Sequence, residues 1–276
     1  MSGGIVARRS AAKEASEVTR LAVPAAVSEG DKNVVETKEA RWQTHLPQGP
    51  ESGTFVRSES QFLHAPYLSA QDLELRTLLG FAYRGVTVDA HKGEVVAVRG
   101  RNGSGKTALL LTLSGRMKAT GGTLTVGGFS LPKQRAKVER HIGLGLFNGL
   151  NDLQDSLTAS YAVSAELQLR GCKANRETVQ AYLADWDLAD IANVRVKDLT
   201  SQQLAQLGIA LAFIGDPDAV VIDDVEDQLT MAQSEGLMNT LLALSRERGV
   251  AVVVGVVERS LAAMADATVY LAKEGE

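Results

Sequence analysis

The chain has 276 residues, 45% of them apolar, with a formal net charge of −4 and a single cysteine. It is long enough for one substantial domain with an extension, or for two small ones, and its apolar share supports a real core. The charge balance gives no reason to expect nucleic-acid binding. Cys172 alone builds no disulfide framework and suits a reducing cytosol, and the longest apolar stretch, residues 250–257, is far short of a membrane span.

Residues 1–66 differ from the rest. Four of the six prolines lie there (Pro24, Pro47, Pro50, Pro66) among Ser, Glu, Lys and Gly, without sustained periodicity. Residues 10–22 suit a short polar helix, and the arginines near the N-terminus precede no hydrophobic segment, so no secretory signal is expected. Two uses of this extension stay open. One is a disordered tail, because it cannot bury enough apolar surface to offset its ordering entropy. The other is an arm that docks on a partner through Trp42, Phe55 and Phe62.

From Tyr67 onward strand-like and helix-like segments alternate, and residues 67–276 are expected to form one domain. Leu73-Glu-Leu-Arg and Gly85-Val-Thr-Val-Asp are predicted edge strands. Residues 94–99 form a strand leading into Gly100-Arg101-Asn102-Gly103-Ser104-Gly105-Lys106-Thr107, and Ala108-Leu109-Leu110-Leu111 opens a helix. This stretch fits G-x-x-x-x-G-K-[ST] in its strand-before, helix-after context. Its glycines let successive backbone N–H groups turn inward as a nest for phosphate oxygens. The helix that follows adds free amides, beginning near Ala108, and the positive end of its dipole. Lys106 can reach the β- and γ-phosphates, and the Thr107 hydroxyl can ligate Mg²⁺.

Thr123-Leu-Thr-Val126 reads as a strand closed by Gly127-Gly128, and a helical region covers about 150–200. Within it Val179, Tyr182, Leu183 and Trp186 fall at i, i+3, i+4, i+7, with Asn175 as the predicted N-cap. Residues 219–222, 250–257 and 268–271 are further buried strands. Long apolar strands separated by helices indicate an α/β fold with a mostly parallel sheet. Asp223-Asp224 follows directly on one of these strands, which places Asp223 at the sheet's C-terminal edge as a candidate Mg²⁺ ligand opposite Thr107. The acidic run Asp223-Asp224-Val225-Glu226-Asp227 is either a solvated loop or an altered Mg²⁺ site using Asp227 or Glu226.

Taken together, residues 68–276 resemble the nucleotide-binding domain of the ATP-binding cassette (ABC) family. The resemblance rests on Lys92-Gly-Glu-Val-Val-Ala before the phosphate loop, Gly121-Gly-Thr-Leu-Thr-Val-Gly-Gly after it, and His141-Ile-Gly-Leu. It extends through Asp187-Leu-Ala-Asp, Asp198-Leu199, Gly215-Asp-Pro and Ala265-Asp-Ala-Thr-Val-Tyr-Leu. A GTPase would show N-K-x-D and D-x-x-G, and neither string occurs. The resemblance implies a P-loop NTPase core in three layers, an antiparallel edge subdomain and an inserted helical subdomain. It also implies ATP and Mg²⁺ as ligands, a second ABC cassette as partner, and a membrane-spanning transporter subunit on whose cytoplasmic face the chain docks.

The sequence departs from that pattern at the positions that catalyse. The signature L-S-G-G-Q, which clamps the partner's nucleotide, reads Leu199-Thr200-Ser201-Gln202-Gln203. The usual catalytic glutamate is Asp224, whose carboxylate is drawn back by roughly 1.5 Å; a misplacement of about 1 Å can cost a hundredfold in rate. The switch histidine falls at Val257, the Mg²⁺-linking glutamine at Phe147 beside Asn148, and the D-loop aspartate at Thr230. The adenine-stacking aromatic falls near Thr77, with Phe81 and Tyr83 better read as core. Ground-state binding groups are kept while transition-state groups are eroded, which predicts affinity without fast turnover. Three functions stay open: the ATP-binding subunit of an ABC transporter, a non-transport regulator or scaffold that uses ATP as a switch, and a fully active ATPase.

Overall fold

The computed structural model describes residues 52–57 and 65–272. The predicted helix at 10–22, together with Trp42 and Phe62, lies outside the described residues. In chain order the elements are β1 (Phe55–Arg57), β2 (Leu68–Thr77), β3 (Gly80–Ala90), β4 (Val95–Gly100), α1 (Lys106–Leu113), β5 (Gly121–Val126) and β6 (Phe129–Leu131). Then come α2 (Arg135–His141), β7 (Ile142–Leu144), α3 (Ala159–Leu169), α4 (Arg176–Asp185), α5 (Ser201–Ala212) and β8 (Ala219–Ile222). The last four are α6 (Met231–Arg248), β9 (Ala251–Val256), α7 (Arg259–Met264) and β10 (Ala267–Leu271).

The main sheet has the order β1-β10-β4-β9-β8-β7, parallel throughout except where β1 runs antiparallel to β10. A second, antiparallel sheet has the order β3-β2-β5-β6. β4 and β9 are buried along their whole length apart from Arg99, as the β-branched runs predict for strands covered on both faces. Side chains alternate between two cores. Val96 and Val98 pack with Leu109, Leu110 and Leu113 of α1 and with the antiparallel sheet, whereas Val95 and Ala97 pack with α5, α6 and α7. The result is three layers: helices, a mostly parallel sheet, and α1 with the antiparallel sheet.

A third apolar cluster joins Val163 and Leu167 of α3 to Val179 and Leu183 of α4, and both to Leu207 and Leu211 of α5. This is the predicted helical subdomain. Asn175 caps α4 as expected, its side chain accepting from the Thr178 amide. α5 contributes to two cores at once and so ties this subdomain to the main sheet.

β1 falls inside the predicted extension 1–66, yet it completes the edge of the main sheet. Phe55 pairs with Val269 and Arg57 with Ala267. The Arg57 guanidinium lies 3.1 Å from Glu94, which is fully buried, and the His91 amide donates to the same carboxylate at 2.7 Å. The main sheet therefore takes in residues 55–57, which lie inside the predicted extension 1–66. Phe55 packs against the core and is not presented as a docking aromatic. Local composition hid this strand, because its stability comes from a charge pair 37 residues away.

Candidate functional site

The loop from Gly100 to Gly105 leaves β4 and turns into α1. Gly105 is the N-cap of α1 in a left-handed conformation (φ 92°), and no side chain caps the helix. A Cβ on Gly105 would lie 2.0 Å from the Ala82 carbonyl oxygen, so this position takes glycine alone. The first amides of α1, near Thr107 and Ala108, thus point outward without a side-chain acceptor, and no acidic residue lies in the first turn. The Lys106 ammonium folds back on its own loop, donating to the carbonyls of Gly100 at 2.9 Å and Arg101 at 3.3 Å. An ammonium carries three donors, so one stays available for a phosphate oxygen.

Thr107 and Asp223 meet as predicted. The Thr107 hydroxyl donates to Asp223 Oδ2 at 2.5 Å. Asp223 Oδ1 is buried and finds no hydrogen-bond partner among the described residues. Gly255 of β9 makes room for that oxygen, since a Cβ there would approach it to 2.6 Å. Burial pushes the Asp223 carboxyl above its ordinary range, against the opposing pull of the Thr107 hydroxyl and the Lys106 charge. A carboxylate held in this way gains most from a cation. Hydroxyl, orphaned carboxylate oxygen and open amides fit a polyphosphate with its Mg²⁺.

Asp224 takes a left-handed backbone conformation (φ 48°), which Asp tolerates better than most residues. Burial raises its pKa first, then the neighbouring charges of Asp223 and Asp227, with Lys106 opposing. A cavity of about 220 Å³ between α5 and the loops after β7 and β8 is lined in part by Asn148, Ser201, Asp223 and Asp224. Phe147 is fully buried and contributes no polar group, so Asn148 is the side chain that reaches this space. Of the acidic run, Glu226 is committed elsewhere: its carboxylate accepts from the amides of Val257 and Glu258 at the end of β9. Asp227 is exposed.

The other eroded positions are closed internally. Thr200 caps α5, and Gln203 returns its side chain to the Thr200 amide, forming a capping box. Thr230 and Gln233 do the same for α6, and Gln233 Nε2 donates to Gln202 Oε1 at 2.9 Å. These boxes follow the T-x-x-Q spacing at both places and were open to sequence reading. Tyr83 is core, as expected: it is buried and its hydroxyl donates to Thr112 at 2.7 Å. Phe81 lies under the guanidinium groups of Arg84 and Arg76, 4.9 and 5.9 Å from its ring centre. Thr77 sits beside the fully exposed Leu78 and Leu79 at the β2–β3 turn.

The model of the family described as ABC transporter matches residues 83–226, which is more than half of the chain and includes both the phosphate loop and Asp223. The chain belongs to the ABC transporter family. It is 33% identical over 171 residues to the ABC transporter ATP-binding protein NatA of Bacillus subtilis, covering 60% of this chain and 68% of that one. It is 26% identical over 199 residues to the methionine import ATP-binding protein MetN of Chlamydia pneumoniae, covering 69% of this chain and 58% of MetN. The share falls to 8% for the human phospholipid-transporting ATPase ABCA7, a far longer protein. Among solved structures, a dimeric bacterial ABC transporter cassette superposes with a TM-score of 0.65 at 24% identity, over 74% of this chain and 94% of that one. That likeness concerns the fold. The three-layer α/β architecture expected from the sequence is the architecture found.

Proposed function

We propose that this chain is the ATP-binding subunit of an ABC transporter, which takes up Mg·ATP on residues 100–108 and couples it to a membrane-spanning partner. Thr107 and Asp223 would hold Mg²⁺, which would offset the negative charge of the bound phosphates. The observation that carries this reading is the juxtaposition of Thr107 with a buried, half-satisfied Asp223 beside uncapped helix amides. No helix among the described residues is long and apolar enough to cross a membrane. Work at the cytoplasmic face of a bilayer therefore calls on a second subunit, with a second cassette alongside.

Hydrolysis is weak or lost in this account. Asp224 stands where the family's general base is expected, and it is short by a methylene, which draws its carboxylate back from an attacking water. The closed capping boxes of α5 and α6 support a second reading, in which ATP acts as a structural ligand in a regulator or scaffold. A Mg·ATP thermal-shift titration tests the shared premise. At one hundred times its dissociation constant ATP stabilises the fold by about 2.7 kcal/mol. The shift appears in the wild type and disappears in Lys106→Ala; its absence from the wild type refutes nucleotide binding. Co-purification with a multi-span membrane subunit then separates transport from regulation.

A further inference from the structure

The loop after β8 does more than supply Asp223. β9 lies between β4 and β8 in the main sheet, with Arg99 level with Val256 and Ile222 level with Val254. The C-terminal ends of these three strands therefore sit side by side, and the phosphate loop, residues 257–258 and residues 223–227 converge on one edge. They share an open cleft of about 360 Å³, to which Asn102 of the phosphate loop contributes along with Asp224, Glu226, Asp227, Val257 and Glu258. None of the ten residues lining it carries a positive charge.

Glu226 differs from its acidic neighbours in being fixed. Its two carboxylate oxygens accept from the amides of Val257 and Glu258, with contacts to Glu258 of 3.2 Å from each oxygen. Charge-assisted bonds of this kind hold a side chain in place more firmly than neutral ones. The adjoining side chain at the end of β9 is Val257, which offers nothing polar to a ligand. With Mg²⁺ held by Thr107 and Asp223 and the inner phosphates on the loop amides, a terminal phosphate would extend toward the cleft that Asn102 shares with this acidic loop. An incoming γ-phosphate meets a pinned negative charge there, without a cation in the cleft wall to offset it. Lys106 can serve both phosphates, but only the γ-phosphate approaches Glu226; the β-phosphate stays on the loop amides.

We propose that Glu226 sets nucleotide specificity, making this a site that holds a nucleoside diphosphate at least as tightly as the triphosphate. The proposal rests on the nucleotide-binding reading above and deepens it. ATP is then not the preferred of the two competing ligands.

The test is calorimetry of Mg·ADP and Mg·ATP on the full chain, its Glu226→Gln variant and its Glu226→Ala variant, with folding of each checked by thermal melting. Gln keeps the size and one acceptor while removing the charge; Ala removes charge and acceptor together and stands in if the Gln form fails to fold. The wild type is expected to bind ADP as tightly as ATP or more so. Loss of the charge is expected to tighten ATP about tenfold, a change of about 1.4 kcal/mol, with ADP altered less than about twofold. A wild type that prefers ATP, or a variant that shifts both nucleotides equally or neither, overturns the proposal and leaves nucleotide binding standing. A wild type that binds neither nucleotide at millimolar concentration removes both.

Discussion

The phosphate loop and the signature segment answer the same physical problem, a helix N-terminus with unsatisfied amides, in opposite ways. At α1 a left-handed glycine precedes the helix, no side chain caps it, and the amides are left for a ligand. At α5 a threonine and a glutamine close the helix end on themselves, and a second box on α6 is bonded to the first through Gln202 and Gln233. The first region is built to take an anion and the second to need none. The ends of α5 and α6 are satisfied within the chain and need no ligand for their stability.

The largest expected effect breaks the open half. Lys106→Ala removes the charged donor that reaches the phosphates, and Mg·ATP affinity should fall about a hundredfold, about 2.7 kcal/mol, by calorimetry. The apo melting temperature should change little, since the ammonium's partners are carbonyls with other lone pairs. Gly105→Ala attacks the same half sterically. With φ at 92° and a carbonyl oxygen 2.0 Å from the new Cβ, it should cost about 2 kcal/mol of stability and abolish nucleotide binding, read by denaturant melts and titration.

Asp223→Asn separates stability from function. Because burial raises the folded-state pKa of Asp223, the folded chain holds that proton more firmly than the unfolded chain. Its stabilising contribution is present below the ordinary carboxylate range and is lost as pH rises through the raised value. Without metal at pH 7 the asparagine variant should therefore melt about 3 °C above the wild type, the equivalent of about 1 kcal/mol for a domain of this size. The advantage should shrink in acid, and Mg²⁺-dependent tightening of ATP should be lost. A variant that melts below the wild type at pH 7 contradicts the burial argument. The smallest effect concerns the closed half: Thr230→Ala should cost about 1 kcal/mol as a lost cap and leave ATP affinity unchanged. A fall in affinity would show that the self-capped ends take part in binding after all.

Much of this was legible in the chain. The β-branched runs gave β4, β8 and β9 because strands buried on both faces need no alternation to be recognised. Residues 100–107 and Asp223 were readable because a nest and a strand-end carboxylate impose fixed spacing. What escaped had distant partners. β1 depends on β10 and on Glu94, and three residues of sequence carry no sign of either. The acidic run left two readings open, since charge density alone does not say which carboxylate is engaged. For Glu226 the engaged partner is a pair of amides 31 and 32 residues downstream, while Asp227 shares a cavity with Asp223 and Asp224. The capping boxes carry a local signal, the T-x-x-Q spacing of Thr200–Gln203 and Thr230–Gln233, that comparison with the family signature passes over.

The central claim, occupancy without turnover, is tested most directly by single-turnover hydrolysis, with the purified chain in excess over radiolabelled ATP and Mg²⁺ at saturation. In the wild type the label is expected to stay in bound ATP over many minutes, and in Lys106→Ala it is expected not to remain on the protein. Release of phosphate at a few per second from the wild type would contradict it.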